Sequence, residues 1–220
     1  MPDTPAAPRP PRIPPELPTA AHAPDRESSV EGVELAALDL AGSSLELVDL
    51  QRCRVSDAKL AGSRWRRCTL HDCDLVCSDL ANVVLEHTGL RRVRITGARL
   101  TGFALGTSQQ WDVAVRDCQA ELSAWRHARL ERASFSGCRL ARSDWAGATL
   151  SDVVFEDCDL GGADFSQCRM RSVLFRGCRY DGIRGLGGLR GATVHVDDLL
   201  ELQVAMAHEL GIRVTAGASA

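Results

Sequence analysis

An apolar residue stands at every fifth position of this chain from Leu35 to Tyr180. Only Gln110 interrupts the run with a polar side chain, and Ala120 is the one member with a small side chain. An α-helix repeats every 3.6 residues and a flat strand every two, so neither maintains a period of five. The pattern therefore predicts a repeat architecture in which short units stack on one another.

A second inward-facing position accompanies each apolar centre. The residue two places before the centre is small in almost every unit, as at Ser43, Cys53 and Ala58. Side chains two positions apart share one face of an extended segment, so the centre and the small residue point inward together. Glycine recurs two places after the centre, as at Gly62 and Gly147, where a corner needs unusual φ and ψ angles. The pattern thus predicts that each unit of five residues forms one segment of a solenoid wall.

Units such as Ala163-Asp164-Phe165-Ser166-Gln167 resemble the boxes of the pentapeptide repeat family, in which a small residue and Asp or Asn precede a central Leu or Phe. The resemblance extends over residues 33–180. It implies an all-β fold, a right-handed quadrilateral parallel β-helix with twenty residues per coil, over residues 31–182. Residues 106–122 depart from the pattern, but their spacing is preserved. We therefore expect a distorted coil there and not an inserted loop.

Stacking by twenty residues assigns the central side chains to separate interior columns. One column is Leu35, Val55, Leu75, Ile95, Val115, Phe135, Phe155 and Phe175, and a second is Leu45, Trp65, Leu85, Leu105, Trp125, Trp145 and Phe165. The core should become more aromatic toward its C-terminal half. We expect one structured domain, whose stability accumulates through contacts between neighbouring coils.

Nine cysteines raise the question of a disulfide scaffold, a metal site or a redox site. Eight of them fall on the small inward position, and only Cys77 does not. Those at 118, 138, 158 and 178 should form one internal ladder, in which parallel side chains would strain an S–S bond. We therefore interpret cysteine as a small buried apolar residue. Free thiols without a signal peptide predict a cytoplasmic protein.

All nine prolines lie between Pro2 and Pro24, within residues 1–30, which have no apolar period. This composition predicts a disordered, proline-rich leader. The spacings Pro8 to Pro11 and Pro11 to Pro14 also fit a polyproline ligand, which stays open as an alternative. The sequence has no apolar run of membrane-spanning length, so no membrane contact is expected.

The period of five ends after Tyr180, and residues 183–220 predict a glycine-rich bend, a capping helix and a tail. Asp197 or Asp198 can N-cap a helix that runs to Leu210 and is followed by Gly211. Such a helix covers the open end of a β-helix, whose unpaired backbone groups otherwise invite edge pairing. Because some members of the resembled family dimerise through such elements, both a homodimer through this cap and a capped monomer stay open.

The sequence contains no pattern that is typical of a catalytic nucleophile with its base, a paired-carboxylate cleft or a metal cluster. The six histidines are scattered, and Gly185-Leu-Gly-Gly188 is too short a match to a phosphate-binding loop. We therefore expect no catalytic residues, no cofactor and no metal site.

The best-characterised members of the resembled family mimic duplex DNA and act on DNA gyrase, which gives quinolone resistance. That mechanism needs a rod that carries like charges. Residues 31–179 contain equal numbers of acidic and basic residues. They alternate along one outward ladder, which is Asp39, Lys59, Asp79, Arg99, Gln119, Arg139, Asp159 and Arg179. Opposite charges stacked about 5 Å apart cancel at a distance, which disfavours gyrase as the partner.

We predict a non-enzymatic scaffold that presents a rigid surface to a protein partner. Trp111, which should face outward in the irregular coil, is the principal candidate for a partner contact. Arg91, Arg92, Arg129 and Arg132 should lie on the same face and are further candidates. Acidic residues interrupt this group, so nucleic acid is not the expected partner. A DNA-mimicking modulator of gyrase and a cysteine-dependent redox or metal protein stay as alternatives.

Overall fold

The computed structural model describes residues 4–20 and 22–213, which form a parallel β-solenoid of about eight turns with a helical C-terminal cap. Positions 1–3, 21 and 214–220, which belong to the predicted leader and tail, lie outside the described residues. The elements in chain order are β1 (Ser29–Glu31), β2 (Glu34–Ala36), β3 (Ser44–Glu46), β4 (Asp49–Gln51), β5 (Arg54–Ser56), β6 (Arg64–Arg66), β7 (Thr69–Val76), β8 (Val84–Glu86), β9 (Gly89–Thr96), β10 (Ala104–Leu105), β11 (Gln109–Arg116), β12 (Arg129–Ser136), β13 (Thr149–Glu156), β14 (Arg169–Arg176), a 3-10 helix (Leu186–Leu189), β15 (Ala192–Val194) and α1 (Val196–Glu209).

Parallel pairing joins residues that are twenty positions apart. In the pair β7 and β9, Leu70 lies beside Leu90 and Leu75 beside Ile95. The same offset runs from β1 and β4 to β13 and β14. One sheet follows the order β1-β4-β7-β9-β11-β12-β13-β14-β15, with β2 and β5 joined to it through β7, and a second sheet contains β3, β6, β8 and β10. The predicted β-helix with twenty residues per coil is confirmed.

Each coil has four walls, which we name after the central residues of one coil: the Leu70, Leu75, Leu80 and Leu85 walls. The long strands β7, β9 and β11 to β14 run along the Leu70 wall, turn an edge, and continue along the Leu75 wall. The second sheet forms the Leu85 wall. Isolated bridges hold the Leu80 wall together from Asp39 to Arg179.

The corners depend on a left-handed backbone two residues after each centre. The φ angle lies between 49° and 70° at every fifth residue from Glu27 to Gly182, with Thr107 as the one exception. A β-branched side chain is strongly disfavoured in this region, which explains the irregular backbone at residues 106–108, between β10 and β11. Pairing resumes at Gln109 in the expected register. The distortion is therefore confirmed, without an inserted loop, and is shorter than predicted.

The interior is a continuous apolar core that becomes aromatic toward the C-terminal end. Trp125, Trp145 and Phe165 stack with centroid distances of 5.1 and 5.9 Å. Phe155 stacks between Phe135 at 5.1 Å and Phe175 at 4.9 Å, and it meets Trp145 edge to face at 5.3 Å. Both predicted columns are therefore present. Offset and edge-to-face contacts of this kind add to the free energy of burial.

Gln110, the polar exception among the centres, is buried and fully hydrogen-bonded. Its amide nitrogen donates to the Thr88 carbonyl at 3.1 Å and to the Ser108 hydroxyl at 2.7 Å, and its oxygen accepts from the Leu90 N–H at 2.5 Å. These bonds compensate for the desolvation of the amide. Gln110 thus supports the irregular backbone that precedes it.

The cysteines are free thiols, eight of them buried and Cys77 exposed. Burial raises the pKa of the Cys73 and Cys168 thiols to about 12, which keeps both protonated and unreactive near neutral pH. In the ladder of four, each thiol donates to backbone carbonyls, as Cys138 does to Val115 at 3.5 Å. The structure thus agrees with the interpretation of cysteine as a small core residue.

Helix α1 caps the solenoid, with a different start from the predicted one. His195 is the N-cap residue, and Asp197 and Asp198 lie in the first turn. Asp198 is not free to cap the helix because its carboxylate points into the solenoid, where it accepts from the Gly177 N–H at 3.0 Å and the Tyr180 hydroxyl at 3.2 Å. The helix ends where expected, at a left-handed glycine in position 211. No helix in the described part of the chain is long and apolar enough to cross a membrane.

The proline-rich leader follows a defined course, which differs from the expected disorder. Residues 4–12 lie along the edge between the Leu70 and Leu75 walls, and backbone N–H groups of Ala6, Arg9 and Arg12 donate to carboxylates there. Ala20 then pairs with Glu34 in β2, which begins the first coil. Composition alone does not reveal these contacts, because they join residues that are far apart in sequence.

Candidate functional site

Two columns of outward side chains cover the Leu70 wall, one on each side of the buried centres. Trp111 belongs to the column that follows the centres, and it lies in register between Arg91 and Glu131. Its outward position on β11 is therefore as predicted. The indole is half-buried, and its Nε1 donates to Glu131 Oε2 at 3.3 Å.

Gly89 leaves a gap in the other outward column, between Thr69 and Gln109. A Cβ atom added to Gly89 would meet no atom within 4 Å. The gap forms a groove of about 300 Å³ that is lined by the apolar Leu70, Leu90 and Trp111 and by polar side chains that include Asp49, His71 and Arg91. We call this the Trp111 groove. A glycine at this strand position thus creates a recess beside a half-buried aromatic ring.

The four candidate arginines divide into two pairs. Arg91 and Arg129 are exposed on the Leu70 wall, and neither forms an ion pair with another described residue. Arg92 and Arg132 instead lie on the edge between the walls, where their side chains are 11% and 23% exposed. The left-handed corner turns them away from the Leu70 wall. The structure therefore brings Trp111, Arg91 and Arg129 together on one surface. Arg92 and Arg132 lie at its border, where Arg132 binds Glu131 beside Trp111 and Arg92 contacts His71.

The edge arginines hold two buried carboxylates. Arg92 binds both oxygens of Asp72, with Nε–Oδ1 at 2.6 Å and Nη2–Oδ2 at 2.7 Å. Arg132 binds Asp112 in the same way, at 2.8 and 3.1 Å. Bidentate pairs of this type are strong and fix the carboxylate plane. Arg92 and Arg132 are therefore parts of the edge and not free contact residues.

The ion pairs with Arg92 and Arg132 determine the ionisation of the Asp72 and Asp112 carboxyl groups. Burial raises the pKa of the Asp72 carboxyl, but hydrogen bonds from Arg92 and from the Arg12 N–H outweigh this effect and leave the pKa below its usual value. The Asp112 carboxyl has a lowered pKa for the same reasons, with Arg132 and the Arg9 N–H as donors. Burial lowers the pKa of the neighbouring His71. Asp72 and Asp112 are therefore ionised at neutral pH, and each is paired with an arginine.

Several outward charges on the other walls are paired in the order that the sequence predicts. The ladder from Asp39 to Arg179 is in register on the Leu80 wall, and Arg99 binds Asp79 at 2.6 Å. Arg94 binds Asp74 at 2.5 Å on the Leu75 wall. Within the described residues, no group of three or more His, Cys, Asp or Glu side chains is arranged to hold a metal ion.

The sequence analysis missed the Trp111 groove and the leader contacts. The signal for the groove was Gly89, the one glycine at an outward strand position on the Leu70 wall. The signal for the leader was a pair of spacings: non-proline residues three apart at 6, 9 and 12, and aspartates forty apart at 72, 112 and 152.

Comparison with known proteins agrees with this geometry. Residues 66–102 match the family model for pentapeptide repeats, and residues 128–184 match a model for a pentapeptide repeat region. No curated protein matches the chain.

Several solved structures are similar to the chain. A trypsin-treated form of QnrB1, a plasmid-mediated fluoroquinolone resistance protein, is 18% identical over 86% of this chain and 99% of its own, with a TM-score of 0.38. HetL, a pentapeptide repeat protein of the cyanobacterium Nostoc, is 20% identical over 76% of this chain and 87% of its own, with a TM-score of 0.32. A pentapeptide repeat protein from the Arabidopsis thaliana thylakoid lumen is 16% identical over 60% and 65%, with a TM-score of 0.22.

Both matched regions coincide with coils whose strands pair at an offset of twenty residues. Small residues, apolar centres and left-handed corners recur there every five positions. Residues 66–102 and 128–184 of the chain are therefore pentapeptide repeat regions.

Proposed function

We propose that this protein is a non-enzymatic scaffold that binds a protein partner through the Trp111 groove. The observation that carries the proposal is the juxtaposition of Trp111 and Arg91 with the recess at Gly89. Aromatic and arginine side chains beside a pocket are the residues that most often dominate binding energy in protein interfaces. The parallel coils beneath the groove provide a rigid support, so little conformational entropy is lost on binding.

The charges of the solenoid support a protein partner over the alternative, a DNA-mimicking modulator of gyrase. A phosphate mimic needs an array of like charges. Asp39, Asp74 and Asp79 each have a basic partner in the next coil. Paired charges cancel beyond a Debye length, whereas the Trp111 groove offers apolar surface with Arg91 at its rim. The nine free thiols favour a reducing compartment, for which we propose the cytoplasm.

Two substitutions in the groove are expected to weaken partner binding by different routes. Trp111→Ala removes the aromatic contact, and Gly89→Thr fills the recess while it leaves Trp111 in place. Loss of one dominant interface residue costs about 2 kcal/mol or more, which weakens binding about 30-fold. Affinity capture from cell extract, followed by titration of the purified partner, measures both effects.

Thermal unfolding separates this result from a folding defect. Gly89→Thr should raise the free energy of unfolding by up to about 1 kcal/mol, because threonine is favoured and glycine disfavoured in a strand. Thr149→Ala, in the same outward column two coils beyond Gln109, is the matched control and should retain the partner. Wild-type affinity in both groove variants would refute the proposal. Capture of gyrase that neither variant weakens would favour the DNA mimic instead.

We also propose that the protein forms a homodimer through α1. Leu200 and Val204 follow one stripe of the helix and are 68% and 46% exposed. They line an open gap of about 540 Å³ between α1 and the last coil, near Ile183. Leu202 and Asp198 already contact the solenoid on the inner face. An isologous contact between two caps would cover this apolar surface.

Leu200→Glu combined with Val204→Glu is expected to convert the dimer to a monomer, because two carboxylates would be buried in the apolar contact. Analytical ultracentrifugation at several concentrations measures the change in mass. Gln203→Glu adds a charge to the same helix outside the stripe and should leave the dimer intact. A monomeric wild-type protein over the whole concentration range would contradict the proposal.

A further inference from the structure

The leader and the edge of the solenoid meet through a regular set of hydrogen bonds. The Ala6 N–H donates to Asp152 Oδ1 at 3.3 Å, the Arg9 N–H to Asp112 Oδ1 at 3.0 Å, and the Arg12 N–H to Asp72 Oδ1 at 2.9 Å. Donors are thus three residues apart, and acceptors are forty residues, or two coils, apart. The leader runs from the C-terminal coils toward the first coil.

These two spacings are nearly equal in length. A polyproline II helix has three residues per turn and rises about 3.1 Å per residue, so one turn advances about 9.3 Å. Two coils at a strand spacing of about 4.8 Å advance about 9.6 Å. A polyproline II segment laid along the edge therefore presents an N–H group to every second coil without strain.

The edge column has the same doubled period. Arg92 and Arg132 alternate with Asp72, Asp112 and Asp152, so a carboxylate is present only in every second coil. Each arginine folds back onto the preceding aspartate and orients it. The side chains of Asp72 and Asp112 are 7% and 3% exposed, and both accept the leader N–H within this buried pair. Two of the three acceptors, Asp72 and Asp112, are therefore held in place by ion pairs that do not involve the leader.

The leader sequence matches these acceptors. Ala6, Arg9 and Arg12, which donate, are not proline, whereas Pro5, Pro8 and Pro11 recur at the same interval on another side. Those three prolines are half-buried beside a cavity of about 420 Å³ that the Leu75 wall also lines, with side chains that include Ala114, Val154 and Leu174. The charged side chains of Arg94, Arg116, Glu156 and Arg176 line the same cavity, so the leader packs against a surface that is partly apolar and partly charged.

We propose that the column of Asp72, Asp112 and Asp152 is a recognition site for polyproline II peptides, and that its ligand is the sequence of the leader itself. The leader occupies the site within its own chain. A separate peptide with the leader sequence binds there when the attached leader is prevented from docking. Recognition depends on N–H groups at every third residue, which a chain of consecutive prolines lacks.

A full-length variant with Ala6→Pro, Arg9→Pro and Arg12→Pro tests this proposal. It removes the three donors and retains the polyproline II preference. A fluorescent peptide of residues 4–18 is expected to bind this variant and not the wild-type protein, whose site is filled. Fluorescence anisotropy measures binding. A full-length control with Ala7→Pro and Ile13→Pro keeps all three donors and should exclude the peptide as the wild type does.

A second peptide tests the role of the N–H groups. The peptide with proline at positions 6, 9 and 12 should bind the open variant at least about 100-fold more weakly, because each hydrogen bond to a charged acceptor contributes about 1.5–3 kcal/mol. Arg9→Pro alone opens the site partially and should give intermediate peptide binding. Equal affinity of the two peptides for the open variant would overturn the proposal. Failure of the residue 4–18 peptide to bind either the open variant or the Arg9→Pro variant would also overturn it.

Discussion

Phe155→Glu is expected to leave no folded protein at 25 °C. Phe155 is fully buried between Phe135 and Phe175 and meets Trp145 edge to face. Loss of a buried phenylalanine costs about 3–5 kcal/mol. An unpaired carboxylate in the same place costs several kcal/mol more, and the sum approaches the whole stability of a typical domain, about 5–15 kcal/mol. Far-ultraviolet circular dichroism and gel filtration measure the loss of the β-helix.

Two variants control this experiment. Ser151→Glu places the same carboxylate on the outer side of the same strand, β13, and should leave the unfolding midpoint within a few degrees of the wild-type value. Phe155→Leu keeps the site apolar and should lower the free energy of unfolding by about 1–2 kcal/mol. A Phe155→Glu protein that melts like the wild type would contradict the assignment of inner and outer residues.

Gly188→Ala is expected to detach the C-terminal cap from the last coil. A Cβ atom at Gly188 would lie 1.9 Å from the Phe165 carbonyl oxygen and 3.1 Å from the Cys168 nitrogen, and both are backbone atoms that cannot rotate away. The 3-10 helix must therefore shift, at a cost of about 3 kcal/mol, the upper end of the usual range for overpacking. Urea unfolding measures this cost, and light scattering detects association through the uncovered end.

The adjacent residue provides the control. A Cβ atom at Gly187 meets nothing within 4 Å, so Gly187→Ala should leave the unfolding free energy unchanged or slightly raised. The two variants differ by one position and carry the same substitution. Equal stability of both would show that the contact with Phe165 does not hold the cap in place.

The sequence was sufficient to predict the fold because its information is local and repeated. An apolar centre, a small residue two places before it and a corner two places after it define one wall segment, and every unit repeats this information. The same reasoning placed Trp111 outward and Phe155 inward. Even Thr107 follows the rule, since a β-branched side chain occupies the one corner that lacks a positive φ angle.

The remaining features depend on relations between distant residues. The five-residue period does not reveal the ion pair between Arg92 and Asp72. That pair depends both on the backbone angle at the corner and on the position of the neighbouring coil. The Trp111 groove requires knowledge that Gly89 adjoins Trp111 on the surface. Prediction of the leader contacts requires knowledge that one turn of a polyproline II helix is about as long as two coils are high. Helix α1 begins at Val196 with His195 as its N-cap residue, and Asp198 instead has inward partners that no helix pattern reveals.

The alternation of aspartate and arginine along the edge constrains how a solenoid of this kind can change in length. Removal of a single coil from the middle of the rod would place guanidinium groups where the leader needs carboxylates, since the two residue types exchange places at each step. Removal of two coils would restore the match. Gain or loss of an even number of coils therefore preserves the hydrogen bonds between the leader and the solenoid. Gain or loss of an odd number of coils breaks them.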